Sequence, residues 1–357
     1  MRAIRVYPHE ITSGNVNQIL KRLHNLGITH VFYEAKNIDG KVFYSSKLAE
    51  VVDDRLSLIC ESAKKYKMRI SVWFCTFPEG YRGKLFGSGT SRFLQRNQNC
   101  AAVNDKGYNT LEHPVPCDFG LENYACPANP KVQNYELELI KEIVKNYSVN
   151  GIHLDFIRYP MPGDYCYCDY CTTRFKDIFG FPITDEKASG YLLKWRQGTI
   201  TNFVNKIYRE IKSVDKNLRL SALVWKYDDC LKLTQDWKQW KVDFISPMFH
   251  HKYYLKRPVW NRNEVHRNRM ISDKRIVASV GGAYSDLFTK KEWELCEGYA
   301  IEGGAKGILY EHYDLLEVAS TLENSRTNDI RKMIRWNVCL IRRSVRVRIS
   351  KFRRSSR

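Results

Sequence analysis

Eight short runs rich in β-branched and aromatic residues, each followed by a longer segment, constrain this chain more than any other feature. The runs are Ala3–Tyr7, His30–Ala35, Arg69–Phe74, Gly151–Asp155, Arg219–Trp225, Phe244–Phe249, Ile276–Val280 and Gly307–Tyr310. Helical candidates lie between and after them: Val16–Leu26, Ala49–Tyr66, Val132–Asn146, Tyr191–Val214, Lys290–Ile301 and Leu315–Leu322. Val16, Ile19, Leu20 and Leu23 recur at helical spacing, and Gly27 is a natural stop for that helix. Strand and helix signals in alternation mark βα units and a parallel sheet. Eight of them predict an α/β chain folded as a (β/α)₈ TIM barrel. A doubly wound sheet would carry a glycine-rich phosphate turn after the first strand. Here Tyr7 runs into Pro8-His9-Glu10.

The expected organisation is a single barrel domain over residues 1–325 and a basic tail over 331–357. Two connections are long, from Pro78 to Asn129 after the third strand and from Pro160 to about Gly190 after the fourth. On a barrel both fall at the C-terminal ends of the strands, where long loops build sites. The formal charge is +19, but residues 331–357 hold eleven Lys and Arg with no acid, which leaves +8 for residues 1–330. The tail is expected to be a solvated, disordered appendage. No nucleic-acid motif accompanies the charge, so no specific nucleic-acid partner is expected. No run approaches the roughly 18 apolar residues of a membrane span, and the first residues lack a secretory pattern. The chain therefore reads as cytoplasmic. Eleven cysteines argue for reduced thiols, some holding a metal, over a disulfide framework.

The most informative string is Gly151-Ile-His-Leu-Asp155-Phe-Ile-Arg-Tyr159-Pro. Strand alternation sends Ile152 and Leu154 towards the helices and His153 and Asp155 towards the barrel axis. Asp155 then ends the fourth strand, where barrel enzymes keep their chemistry. A carboxylate walled by Arg158 and Tyr159 suits a nucleophile, a base or a stabiliser of an oxocarbenium ion. The plainer alternative is an Asp that pairs with Arg158 to close a loop.

Around this string the chain resembles the glycosyl-hydrolase-like family 10 barrels. The likeness includes Leu26-Gly-Ile-Thr-His-Val-Phe-Tyr-Glu34, Asp39-Gly-Lys-Val-Phe-Tyr44-Ser-Ser and Cys126-Pro-Ala-Asn-Pro130, then Tyr147-Ser-Val-Asn leading into Gly151. It implies a (β/α)₈ fold, hydrolysis of glycosidic bonds in a poly- or oligosaccharide, and a match of Asp155 to the family's strand-4 carboxylate. It does not name the sugar. Such hydrolysis normally needs a second carboxyl. Glu311 and Asp228 are the first candidates, with Asp229 beside the latter. Glu34 follows, with Lys36 as its possible ion-pair partner. A barrel that binds carbohydrate without cutting it is the alternative function.

Cys166-Tyr-Cys168-Asp-Tyr-Cys171 places three thiols as three vertices of a tetrahedral zinc site, with Cys126, Cys117 or Cys100 as the fourth. The arrangement is similar to the structural zinc cluster of family 42 β-galactosidases, which implies a closed site that ties down a loop. Aromatic residues make up 13% of the chain. Trp73, Trp225, His250, His251 and Tyr284 fall at strand ends, where ring faces and imidazoles suit sugar contacts. No GxSxG elbow, Walker A loop or HExxH string is present.

Overall fold

The eight predicted runs form β1 (Arg2–Val6), β2 (His30–Lys36), β3 (Arg69–Cys75), β4 (Gly151–Asp155), β5 (Arg219–Val224), β6 (Phe244–Pro247), β7 (Ala278–Gly281) and β8 (Ile308–Glu311). All pair in parallel, in the order β6-β5-β4-β3-β2-β1-β8-β7. Bridges from Ile245 to Ile276 and from Met248 to Ser279 join β6 to β7 and close the barrel. This is a computed structural model, and it describes residues 1–83, 88–117, 120–282 and 288–312. Tyr284, the predicted helix Leu315–Leu322 and the basic tail lie outside the described residues. No described helix is long and apolar enough to cross a membrane.

Strand alternation sorts the side chains as expected. Ile152 and Leu154 join the apolar layer between strands and helices, with Ile4, Val6, Ile140 and Ile207. The barrel interior holds Ala3, Phe32, Trp73, Phe244 and Leu309. His153 sits among them, 4.6 Å from the Phe32 ring and 5.0 Å from Trp73. Its Nδ1 shares a 2.8 Å hydrogen bond with Ser221 Oγ. Burial drives its pKa down to about 3, so it fills the barrel as a neutral ring. Gly151 opens β4 because a Cβ there would meet the Arg219 carbonyl oxygen at 2.2 Å. Gly27, at φ +74°, stops the helix Val16–Asn25 as predicted.

Three expectations change. The helix predicted over Ala49–Tyr66 occupies Arg55–Lys64. Its first residues instead bond to Val42, through Glu50 O and Val52 N, both at 2.9 Å. Asp54 then caps the helix by accepting from Ser57 N. The connection after β3 is not simply a loop. It carries an antiparallel sheet of Gly89–Thr90, Pro78–Gly83, Gly120–Tyr124 and Val115–Cys117, paired in that order. Lys36, finally, does not pair with Glu34. The register shifts between these two residues, and that irregularity breaks the alternation that would place them on one face. Lys36 is buried outside the barrel, with Nζ 2.6 Å from Glu79 and 3.0 Å from Glu136, and it also donates to the carbonyls of Cys75 and Thr76.

Candidate active site

At the C-terminal ends of the strands lies a cavity of about 490 Å³. Asp155, on the last residue of β4, lines it. The chain turns sharply there, with Phe156 at φ +51°, a region that non-glycine residues rarely adopt. The turn lets the Phe156 N–H donate to Asp155 Oδ1 at 2.6 Å, while Trp73 Nε1 donates to Oδ2 at 3.0 Å. Burial pushes the Asp155 carboxyl above its usual range, and Arg5 and Arg158 oppose the push.

Glu311 ends β8 and lines the same cavity. Ser279 Oγ donates to its Oε2 at 2.7 Å, and His250 Nε2 lies 3.2 Å from the same oxygen. Burial works against the charged form of Glu311. His250, Arg5 and Ser279 nevertheless hold its pKa down to about 2. Glu34 ends the regular part of β2 and receives a 2.6 Å hydrogen bond from Arg5 Nη2. Burial raises Glu34, against that pairing. Arg5 itself stacks 3.9 Å above the Trp73 ring and 4.4 Å from Tyr7. Arg5 thus links the carboxylates of β2 and β8, at 2.6 Å and 3.7 Å.

The other predicted site residues divide. Trp225, Arg158 and His250 line the cavity. Trp225 stands edge-on to Tyr253, another lining residue, at 5.7 Å, and its indole N–H has no partner among the described residues. Trp73 and His153 lie within the barrel, where Trp73 supports Asp155 from below. Tyr159 turns away towards the cysteines, with Arg196 5.7 Å above its ring. His251 is buried against Glu292 at 2.9 Å. Asp228 does not reach the cavity: its short helix Tyr227–Cys230 turns it outward, half exposed, to Arg267 at 2.8 Å. Asp229 accepts from Tyr254 at 3.0 Å.

Sequence reasoning missed Arg5 and Glu122. For Arg5 a signal existed, since it alternates with Ile4 and Val6 and so shares the inward face of β1 with Ala3. Glu122 comes from the inserted sheet, which also lends Tyr81 and Cys117 to the cavity.

Cys126, Cys166, Cys168 and Cys171 form one buried group whose sulfur atoms all lie within 4.8 Å of one another. Cys126 Sγ is 3.4 Å from Cys171 Sγ and 3.6 Å from Cys168 Sγ. The Val103 N–H points at Cys166 Sγ from 3.3 Å. A dry cluster of four thiols with a backbone donor is suited to hold a metal ion. Cys126 supplies the fourth position; Cys100 stays outside the group, and Cys117 faces the cavity. None of the four lines the cavity, so the group joins the connection after β3 to the one after β4 without touching the cleft.

A family profile described as glycosyl hydrolase-like 10 matches residues 6–254. Glycosyl hydrolase DigH of Escherichia coli is 24% identical over 269 residues, 65% of this chain and 56% of the relative. Glycosyl hydrolase YngK of Bacillus subtilis is 22% identical over 180 residues, 43% of this chain and 34% of that one. The chain thus spans about half the length, or less, of these curated relatives. Among solved structures, the PgaB (BpsB) glycoside hydrolase domain from Bordetella bronchiseptica superposes with a TM-score of 0.70 at 13% identity, covering 91% of this chain and 98% of that one. The catalytic domain of β-amylase from Paenibacillus polymyxa gives 0.62 at 12%, covering 94% and 97%. At such identities the likeness is one of fold.

Proposed function

The chain belongs to the glycosyl hydrolase-like 10 family, and from that premise we propose that it is a glycoside hydrolase cutting a poly- or oligosaccharide in the cleft above Asp155. The observation that carries this reading is the convergence of Asp155 and Glu311, from β4 and β8, on one cavity beside an aromatic wall. Carboxyls converging on a sugar-sized cleft are what glycosidic hydrolysis requires, for charge stabilisation and for proton transfer. Trp225 offers a ring face for a pyranose and an N–H for one of its hydroxyls. Asp155, with Glu311 nearby, stabilises the positive charge that develops at the anomeric carbon.

The cysteine group supports a structural zinc ion held by Cys126, Cys166, Cys168 and Cys171. Zn–S bonds of about 2.3 Å imply tetrahedral S···S edges near about 3.8 Å. The contacts of 3.4 and 3.6 Å lie close to that edge. The ion would fasten the two connections that wall the cleft and take no part in the chemistry.

The test is hydrolysis of a glycan panel by the wild type and Asp155→Asn. The variant keeps the shape and is expected to lose about 10²–10³-fold or more in kcat, with circular dichroism unchanged. Near-wild-type turnover by the variant refutes the role of Asp155. Glycan retention without any cleavage by the wild type would make the chain a binding barrel instead.

A further inference from the structure

Release of a sugar oxygen needs a carboxyl that arrives with its proton. The three carboxyls on the barrel strands are poorly placed to bring one. Glu311 accepts from Ser279 at 2.7 Å and faces His250 at 3.2 Å. Glu34 is locked to Arg5 at 2.6 Å. Each oxygen of Asp155 already accepts an N–H, from Trp73 at 3.0 Å and Phe156 at 2.6 Å. Burial raises Asp155 and Glu34 as well, but each of these contacts is made to the charged form and opposes that push.

A fourth carboxyl reaches the same cavity from outside the barrel. Glu122 lies on the Gly120–Tyr124 strand of the inserted sheet, opposite Tyr81 in register. It is 4% exposed and lines the cavity. Among the described residues it has no ion pair within 4.0 Å. We propose that Glu122 is the general acid of the cleft, supplied by the inserted sheet and not by a barrel strand. The inference rests on the glycoside hydrolase reading above.

In the reaction, the Glu122 proton passes to the glycosidic oxygen as the bond from the anomeric carbon to that oxygen breaks. The bonding electron pair leaves with the oxygen. The positive charge left on the sugar faces Asp155 and Glu311. Water then bonds to the anomeric carbon and gives its proton to one of these carboxylates, and solvent exchange restores the proton on Glu122. The charges around Glu122 suit this duty. Burial is the largest influence and pushes its carboxyl above the usual range. Arg158 and a hydrogen bond from Cys117 pull it back, while Asp155 adds to the push.

The experiment compares wild type with Glu122→Gln on paired aryl glycosides of glucose, galactose and N-acetylglucosamine oligosaccharides. One member of each pair carries 4-methylumbelliferone, a leaving group that benefits from protonation, and the other carries 2,4-dinitrophenol, which does not. The expected result is a loss of about 10²-fold or more in kcat on the first and only a few-fold on the second. The high-pH fall in wild-type kcat on the methylumbelliferyl substrates is also expected to vanish in the variant. Glu122→Ala, read in the same way, serves if Glu122→Gln does not fold. Equal losses on both leaving groups, or no loss, overturn the inference and leave the hydrolase reading standing. No cleavage of any pair by the wild type overturns both.

Discussion

Replacing Lys36 with Met removes the cation that, among the described residues, alone pairs with two buried acids. The ammonium lies 2.6 Å from Glu79 and 3.0 Å from Glu136, with all three side chains fully buried. It also donates to the carbonyl oxygens of Cys75 and Thr76 at 3.0 and 2.9 Å. Breaking a buried pair by deleting one partner costs about 3–5 kcal/mol, because the remaining charge is left desolvated. At about 2 °C per kcal/mol for a large domain, Lys36→Met should melt roughly 6–10 °C below wild type. The pH dependence follows from Glu136. Burial pushes its carboxyl well above the usual range, Lys36 opposes this, and Glu79 adds to it. Without the lysine the folded value rises further. A carboxyl raised on folding stabilises at pH values below its unfolded pKa, and that stabilisation is lost as pH rises through the folded value. The deficit of the variant should therefore be smaller at about pH 5 than at about pH 8. Adding Glu79→Gln and Glu136→Gln should recover part of the loss at the higher pH. The assay is thermal unfolding by circular dichroism across that range. A Lys36→Met protein that melts within 2 °C of wild type at about pH 8 would refute the reasoning.

Two further outcomes concern the metal and Glu311. Purified protein is expected to carry about one zinc per chain. Chelation or Cys168→Ser should lower the melting temperature by several degrees, whereas a metal-free preparation whose four thiols titrate freely while folded counts against the site. Glu311, held to about 2, contributes stability that is present above the usual Glu value of about 4.3 and is lost as pH falls towards about 2. Ser279→Ala removes the 2.7 Å donor, so its melting curve should lie below wild type above about pH 5 and converge with it at about pH 2–3. Curves that stay parallel throughout would show that the hydroxyl does not stabilise the charge.

The barrel was legible because each strand carries its own signal, and all eight predicted runs fall within two residues of the strands found. Asp155 was legible for the same reason, since alternation in β4 gives both its face and its height. Where alternation fails, so does the reading. The irregularity between Glu34 and Lys36 sends two residues of like parity to opposite sides of the sheet. Glu122 left no trace because its sheet is built from strands of two to six residues, broken by Gly80, Pro116 and Gly120. Asp228 follows β5 directly, but a single helical turn decides where it points, and spacing does not reveal that turn. His153 faces the axis as predicted, and Trp73, expected at the strand end as a sugar contact, packs beside it beneath the residues that line the cavity.

Cys126 follows Glu122 by four residues and is clustered with cysteines from the connection after β4, the strand next to β3. The inserted sheet therefore meets that connection close to Glu122. Its strands form a sheet separate from the barrel ladder. Substitutions on this sheet that spare Glu79 and Glu122 are therefore expected to reshape one wall of the cavity without touching the residues of the barrel ladder.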